Sequence, residues 1–221
     1  MLVLSTKKIP AQYKRIFKSG IEFKEYSFIS IKYTPPVLEE VKNSNIIFTS
    51  KNSVRSIESQ ICKWRKNSFY CVGEQTFDYL QVLGISEAFS FFNVSDLADF
   101  LVQKKIDDIL FFRGDISLDV LSTRIGNSSV KYREIVVYKT VLNPIEVDEK
   151  RVSIIMFFSP SAVRSFFYKN RLCSKTKCLC IGLTTAMELR KYSDNCFYTP
   201  KTPSVKGVIE LLKAEIKNDK K

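Results

Sequence analysis

IIFTSKNSVRS, residues 46–56, returns later in the chain as MFFSPSAVRS, residues 156–165. Phe48 stands 109 residues before Phe157, and the same spacing carries Ser50 to Ser159, Val54 to Val163, Arg55 to Arg164 and Ser56 to Ser165. It then carries Cys71, Gly73, Thr76 and Leu80 onto Cys180, Gly182, Thr185 and Leu189. Two stretches that keep one register without a gap indicate a duplicated unit, too long for a solenoid repeat and about the size of a small domain.

Around the first copy, strand and helix signals alternate. Residues 46–49 are a short apolar run that reads as a buried strand, and Ser50 or Asn52 caps a helix with Val54, Ile57, Ile61 and Trp64 on its apolar face. Residues 69–72 form the next strand, followed by Gly73 to Thr76 and a helix carrying Phe77, Leu80 and Leu83 that Gly84 ends. Ser95 caps a helix with Leu97, Phe100 and Leu101. A third strand, 109–112, runs into Arg113-Gly114-Asp115 and a helix with Leu118, Leu121 and Ile125. The second copy repeats the pattern through Ser159-Pro160-Ser161, a helix with Val163, Phe166 and Phe167, a strand at 178–181, and Gly182 to Thr185. It closes on a helix capped by Ser204 with Val205, Val208, Ile209 and Leu212. Such alternation predicts a parallel sheet covered on both faces.

The second copy stops short of the strand and helix that 109–125 supply in the first, and the N-terminal segment is the piece that can replace them. It offers a strand at 1–4 and a helix with Tyr13, Ile16 and Phe17 ended by Gly20. Lys7, Gly20 and Thr34 align with Arg113, Gly126 and Thr140 at an offset of 106. The expected organisation is a discontinuous α/β domain, residues 1–34 plus 143–221, with a second α/β domain, 41–135, inserted into it. FISIKYT (28–34) and IVVYKTV (135–141) cross between the two and are expected to pair as a two-stranded connector.

Composition narrows the chemistry. A chain of 221 residues with 45% hydrophobic and 26% charged content is globular, and no apolar run approaches the roughly 20 residues of a membrane span. The N-terminus places apolar residues before lysines, the wrong order for a signal peptide, so a cytoplasmic location is expected. A net charge of +12 suits a polyanionic partner, whether nucleic acid, membrane surface or a small multi-carboxylate ligand, or else a solvated basic surface. The tail at 217–221 reads as frayed and solvated. The six cysteines lie mostly in apolar runs and read as reduced core thiols. There is no histidine, which removes His-based triads and the commonest zinc ligand, and no Walker A or GxGxxG pattern. Chemistry must come from Tyr, Ser, Thr, Lys, Arg, carboxylates or backbone amides.

Open parallel sheets bind ligands beyond the carboxyl ends of their strands, at loops leading into helix N-termini that favour anions. Here those loops are rich in hydroxyls: Thr49-Ser50, Gly73 to Thr76 and Arg113-Gly114-Asp115 in one domain, Ser5-Thr6-Lys7, Ser159 to Ser161 and Gly182 to Thr185 in the other. Facing each other across a hinge, they would make a cleft for a ligand with many carboxylates; taken singly, such hydroxyls also serve as ordinary helix caps.

In order and spacing, IIFTSKNSVRSI, CVGEQTFDYL, ILFFRGD, IVVYKTV, FFSPSAVRSF, CIGLTTAMEL and TPSVKGVIELL resemble the uroporphyrinogen-III synthase family. The resemblance implies two flavodoxin-like parallel-sheet α/β/α domains joined by a two-stranded connector, one domain being discontinuous. It further implies a monomeric enzyme without cofactor or metal, acting on neither membrane nor nucleic acid. Its substrate would be hydroxymethylbilane, closed to uroporphyrinogen III with inversion of ring D. Loss of the terminal hydroxyl leaves an azafulvene, and attack from the substituted carbon of ring D gives a spiro intermediate that fragments and recloses. Unaided closure gives the uninverted isomer. Tyr138 matches the family's tyrosine and is the candidate for assisting hydroxyl departure. Thr49, Ser50, Gly73, Thr76, Ser159, Ser161, Gly182, Thr184 and Thr185 match cleft-lining positions, and Arg113 would pair with a carboxylate or brace its loop against Asp115. Many members carry Thr-Arg-Pro after the first strand. Here Lys7 supplies charge without a bidentate guanidinium. The competing class is a non-catalytic two-domain binder of anions or nucleic acid, against which stands the lack of any helix-turn-helix or RNA-binding signature.

Overall fold

The computed structural model describes residues 1–17, 20–36, 38, 41, 44–116, 119–125 and 130–218. In chain order come β1 (Leu2–Ser5), α1 (Ala11–Lys14), β2 (Glu22–Glu25), β3 (Ile29–Tyr33), β4 (Asn45–Phe48), α2 (Lys51–Ser56) and α3 (Glu58–Ile61). Then follow β5 (Ser68–Val72), α4 (Glu74–Val82), β6 (Ala88–Phe91), α5 (Val94–Gln103), β7 (Ile109–Gly114), α6 (Val120–Ile125) and β8 (Tyr132–Leu142). The last elements are β9 (Val152–Phe157), α7 (Pro160–Phe167), β10 (Lys177–Cys180), α8 (Leu183–Arg190), β11 (Phe197–Tyr198) and α9 (Val205–Asn218).

The chain divides into two compact units, Met1–Ser30 with Val141–Lys221, and Ile31–Thr140. In the discontinuous unit the strands lie in the order β2-β1-β9-β10-β11, all parallel. This is the doubly wound order 2-1-3-4-5. The other unit has β8-β7-β4-β5-β6, again parallel, with β3 added beside β8. It is the same order entered at the third strand.

The register repeats residue for residue. Phe48 pairs with Cys71 and Phe69 with Ala88 in one sheet, as Phe157 pairs with Cys180 and Cys178 with Phe197 in the other. The offset of 106 holds for β1 and β7, since Leu4 faces Ile155 as Leu110 faces Ile46. It fails beyond them. Val3 faces Phe23 where Ile109 faces Tyr132, and Thr34 N–H donates to the Val137 carbonyl where Asn143 N–H donates to that of Phe28. Thr34 therefore corresponds to Asn143 at offset 109, not to Thr140. The three-residue difference is absorbed between the first two strands of each unit, and Gly126 lies outside the described residues.

Alternate strand residues feed opposite faces of each sheet. Leu4, Ile155, Phe157, Cys178 and Cys180 pack with Val163, Phe166 and Leu189, while Val3, Ile154, Met156 and Leu179 pack with Val208, Ile209 and Leu212. In the other unit Ile46, Phe48, Leu110 and Phe112 pack with Val54, Ile61 and Trp64, and Ile47, Tyr70 and Phe111 with Leu97 and Leu101.

Other expectations are corrected. The helix from Val54 to Trp64 breaks at Ile57, whose φ of −115° is non-helical, so it becomes α2, α3 and a 3-10 turn while all four apolar residues stay buried. The N-terminal helix is only four residues long, and Phe17 instead stacks on Phe23 at 4.0 Å. Asn93, not Ser95, caps α5, accepting from Asp96 N–H at 2.9 Å. Leu118 and 219–221 of the tail lie outside the described residues. The cysteines divide evenly: Cys71, Cys178 and Cys180 are buried, burial pushing the last two thiols up to about 12, whereas Cys62, Cys173 and Cys196 are exposed; none is in a disulfide.

Candidate active site

Apart from β3, the strands of each sheet run parallel, so their carboxyl ends share one edge, and the loops leaving that edge carry most of the predicted residues. At the end of β4, Thr49 and Ser50 are half-buried, and Ser50 caps α2 by accepting from Asn52 N–H at 3.1 Å. In the other unit Ser159 does the same for α7, accepting from Ala162 N–H at 3.1 Å. Both serines thus perform the capping role.

Two helices start differently. Gly73 and Gly182 hold the cap positions of α4 and α8, and neither helix has a side-chain cap. The amides of Thr76 and Thr185 donate to the Gly73 and Gly182 carbonyls at 3.1 Å, but the two before each of them, at 74 and 75 and at 183 and 184, have no intrahelical acceptor and so remain open to an anion. Glu74 already places a carboxylate in the first turn of α4, whereas α8 has no acid there. Gly73 has φ +85°, a conformation that disfavours any side chain, although a Cβ would meet nothing. Gly182 is extended, and a Cβ there would only touch Pro203 at an ordinary 3.6 Å.

The hydroxyls do not all reach the surface. Thr76, Ser161 and Thr185 are 4%, 7% and 1% exposed, and Ser161 accepts from the Arg164 guanidinium at 3.2 Å. Helical periodicity places them in the first turn without saying which way the oxygen points. Thr184 is exposed and has no side-chain hydrogen bond among the described residues.

Arg113 lies inside β7, not in the loop, and it forms ion pairs with Glu134 and Asp119, whereas bracing against Asp115 was one of the two roles expected of it. Partial burial pulls its pKa down, but the hydrogen bonds and charges of Glu134 and Asp119 together outweigh it and the net shift is upward. Tyr132 donates to Glu134 at 2.6 Å; burial first, then this bond, raises its pKa. Asp115 instead accepts from Ile116 and Thr140 N–H at 3.0 and 2.9 Å. Lys7 is exposed as a residue, yet its ammonium sits 5.3 Å from the Phe158 ring centre, and loss of water around it lowers its pKa.

Tyr138 is half-buried on β8, opposite Gly114 at the end of β7. Its hydroxyl has no hydrogen-bond partner among the described residues, while its carbonyl accepts from Asp115 N–H at 3.0 Å. A cavity of about 540 Å³ lined by Pro200, Lys201, Thr202, Ser204 and Lys206 adjoins the start of α9, where Ser204 accepts from Gly207 N–H at 3.0 Å. TPSVKGV falls 109 residues after NVSDLAD, a correspondence that marks the helix start beside this cavity but not the cavity itself. A smaller cavity beside Lys105 and Ile109 lies at the amino edge of its sheet, away from these loops.

Among the described residues no group of His, Cys, Asp or Glu is placed to hold a metal ion, and no helix is long and apolar enough to cross a membrane. The fold and these edges define a pair of doubly wound α/β units with hydroxyl- and amide-rich carboxyl edges. The chain belongs to the uroporphyrinogen-III synthase family: the family model described as uroporphyrinogen-III synthase HemD matches residues 13–210. It is accordingly an enzyme of heme biosynthesis, a cyclising lyase. The structure is similar to that of uroporphyrinogen-III synthetase from Helicobacter pylori 26695, with TM-score 0.73 and 20% identity over 96% of this chain and 98% of that one. A mutant uroporphyrinogen III synthase from the extremely thermophilic bacterium Thermus thermophilus matches with TM-score 0.64 and 14% identity, over 98% and 99% of the two chains. Among curated proteins none matches significantly.

Proposed function

We propose that the carboxyl-edge loops of this chain bind the carboxylates of hydroxymethylbilane and that Tyr138 assists departure of its terminal hydroxyl. The reading rests on one observation above all: a tyrosine hydroxyl without a protein partner among the described residues stands on the same sheet edge as the open amides of α4. Free closure of the bilane is chemically easy, so the protein's task is to hold one geometry, and binding by many weak donors serves that end. Thr49, Ser50, Ser159, Thr184 and Lys7 offer accessible donors, as do the amides after Gly73 and Gly182. Thr76, Ser161 and Thr185 shape the helix starts, and Arg113 contributes by fixing Glu134 and its strand unless substrate exchanges for a carboxylate. Family membership supports hydroxymethylbilane as the substrate, and a monomer acting in the cytoplasm completes the proposal.

The purified protein, given hydroxymethylbilane, is expected to move the oxidised product from the type I to the type III porphyrin on chromatography. An unchanged isomer ratio would overturn the reading. Two serine and threonine variants separate capping from binding. Ser159→Ala is expected to cost about 1 kcal/mol of stability, seen as a lower urea midpoint at unchanged slope. Thr184→Ala removes a hydroxyl that caps nothing, and is expected to leave the midpoint in place while raising KM.

A further inference from the structure

The sheet ladder between β7 and β8 is irregular at one point. Arg113 faces Val136, but the next residue, Gly114, faces Tyr138, so Val137 is passed over. Two residues of β8 therefore oppose one step of β7, the arrangement of a bulge, which turns a side chain away from where a regular strand would send it. A regular ladder would put Val137 opposite Gly114. Instead Val137 is fully buried in the core and Tyr138 takes the position at the end of β7.

Gly114 makes that position available. Its backbone does not lie in the left-handed region, so nothing in the turn requires glycine. What excludes a side chain is the tyrosine: a Cβ on residue 114 would lie 2.4 Å from Tyr138 Cζ, 2.7 Å from Cε2 and 2.7 Å from the hydroxyl oxygen. These are contacts that real side chains do not make. The phenol end of the ring thus rests against the Gly114 backbone, and the strand ends around it are tied by the Asp115 N–H bond to the Tyr138 carbonyl and the Thr140 N–H bond to the Asp115 carboxylate.

We infer that Gly114, together with the bulge beside it, is a positioning residue that sets where the Tyr138 hydroxyl stands. The inference rests on the proposed role of Tyr138. Because the aromatic ring is rigid beyond its two torsions, it cannot yield locally to a methyl group and must swing away, carrying the hydroxyl with it. A displacement of the order of an ångström is enough to lower turnover by roughly 10- to 100-fold.

The test compares Gly114→Ala, Tyr138→Phe and the double variant, each as the full chain acting on hydroxymethylbilane. Expected are a kcat for Gly114→Ala lowered by at least roughly tenfold with KM little changed, and less than roughly a twofold further loss when the alanine is added to Tyr138→Phe. A general weakening of the fold would instead lower both backgrounds by the same factor, and that result overturns the inference, as does a Gly114→Ala enzyme with unaltered kcat. If Tyr138→Phe itself retains full turnover, it is the role of Tyr138 that fails. Should Gly114→Ala not fold, Gly114→Ala/Tyr138→Ser carries the test: the small side chain leaves room for the Cβ, so this variant is expected to fold as well as Tyr138→Ser. Failure to do so would remove the ring contact as the reason for glycine.

Discussion

Tyr138→Phe is expected to lower kcat by about 10²- to 10⁴-fold while leaving the melting temperature nearly where it was, the range for losing one positioned proton donor. The two halves of this expectation have separate physical grounds. The phenylalanine ring keeps the contact with Gly114 and the packing against the core around Phe112 and Val137, so the apolar burial is unchanged. The hydroxyl has no partner among the described residues, so its removal leaves no buried group unsatisfied. What is lost is a donor at the edge where the bilane's hydroxyl must leave. As the enzymatic route slows, free closure competes, and the type I share of product rises with it. Isomer ratio, kcat and melting temperature measured on one preparation decide the matter; full activity would take Tyr138 out of the mechanism.

The duplication was legible because both copies bury the same face in the same register. Phe48 and Cys71 are strand neighbours, and so are Phe157 and Cys180, which is why those letters recur at one spacing. Three strands escaped for the converse reason. β2, β6 and β11 stand at sheet edges and bury little, so Glu22–Glu25 has a single apolar residue among three charged ones and Ala88–Phe91 exposes its central pair, leaving no apolar run to read.

The candidate site was legible in its loops and less so in its atoms. Spacing located Ser50 and Ser159 as helix starts, and they are caps. Spacing could not tell that Thr76 and Thr185 turn inward while Thr184 turns out, because one residue along a helix rotates a side chain by about 100° and the cap decides the phase. Arg113 was placed in a loop because the apolar run stops at Phe112; the strand runs on to Gly114, and Glu134 on the neighbouring strand supplies the partner for an arginine inside it. Gly114 could not have been found by local reading, since the ring that excludes its side chain arrives from a strand 24 residues on, through a bulge.

Phe112→Ala is expected to destabilise the unit spanning Ile31–Thr140 by about 3–5 kcal/mol, the range for truncating a fully buried aromatic. Phe112 is stacked between Phe48 at 5.6 Å and Trp64 at 5.5 Å, so truncation leaves a cavity walled by two large rings that cannot both collapse into it. At the corresponding place in the discontinuous unit stands Thr6, buried and donating to the Met156 carbonyl at 2.9 Å, so the aromatic stack belongs to one unit only. Among the described residues the core clusters likewise share no member between units. Trp64 is the chain's single tryptophan, and its emission therefore reports the damaged core directly. In urea the Trp64 transition of Phe112→Ala should move to lower denaturant and separate from the far-ultraviolet circular dichroism of the chain as a whole. Activity should follow the tryptophan signal, because Tyr138 belongs to the same unit. Coincident transitions shifted by less than about 1 kcal/mol would mean that the stack around Phe112 repacks and does not hold this unit together.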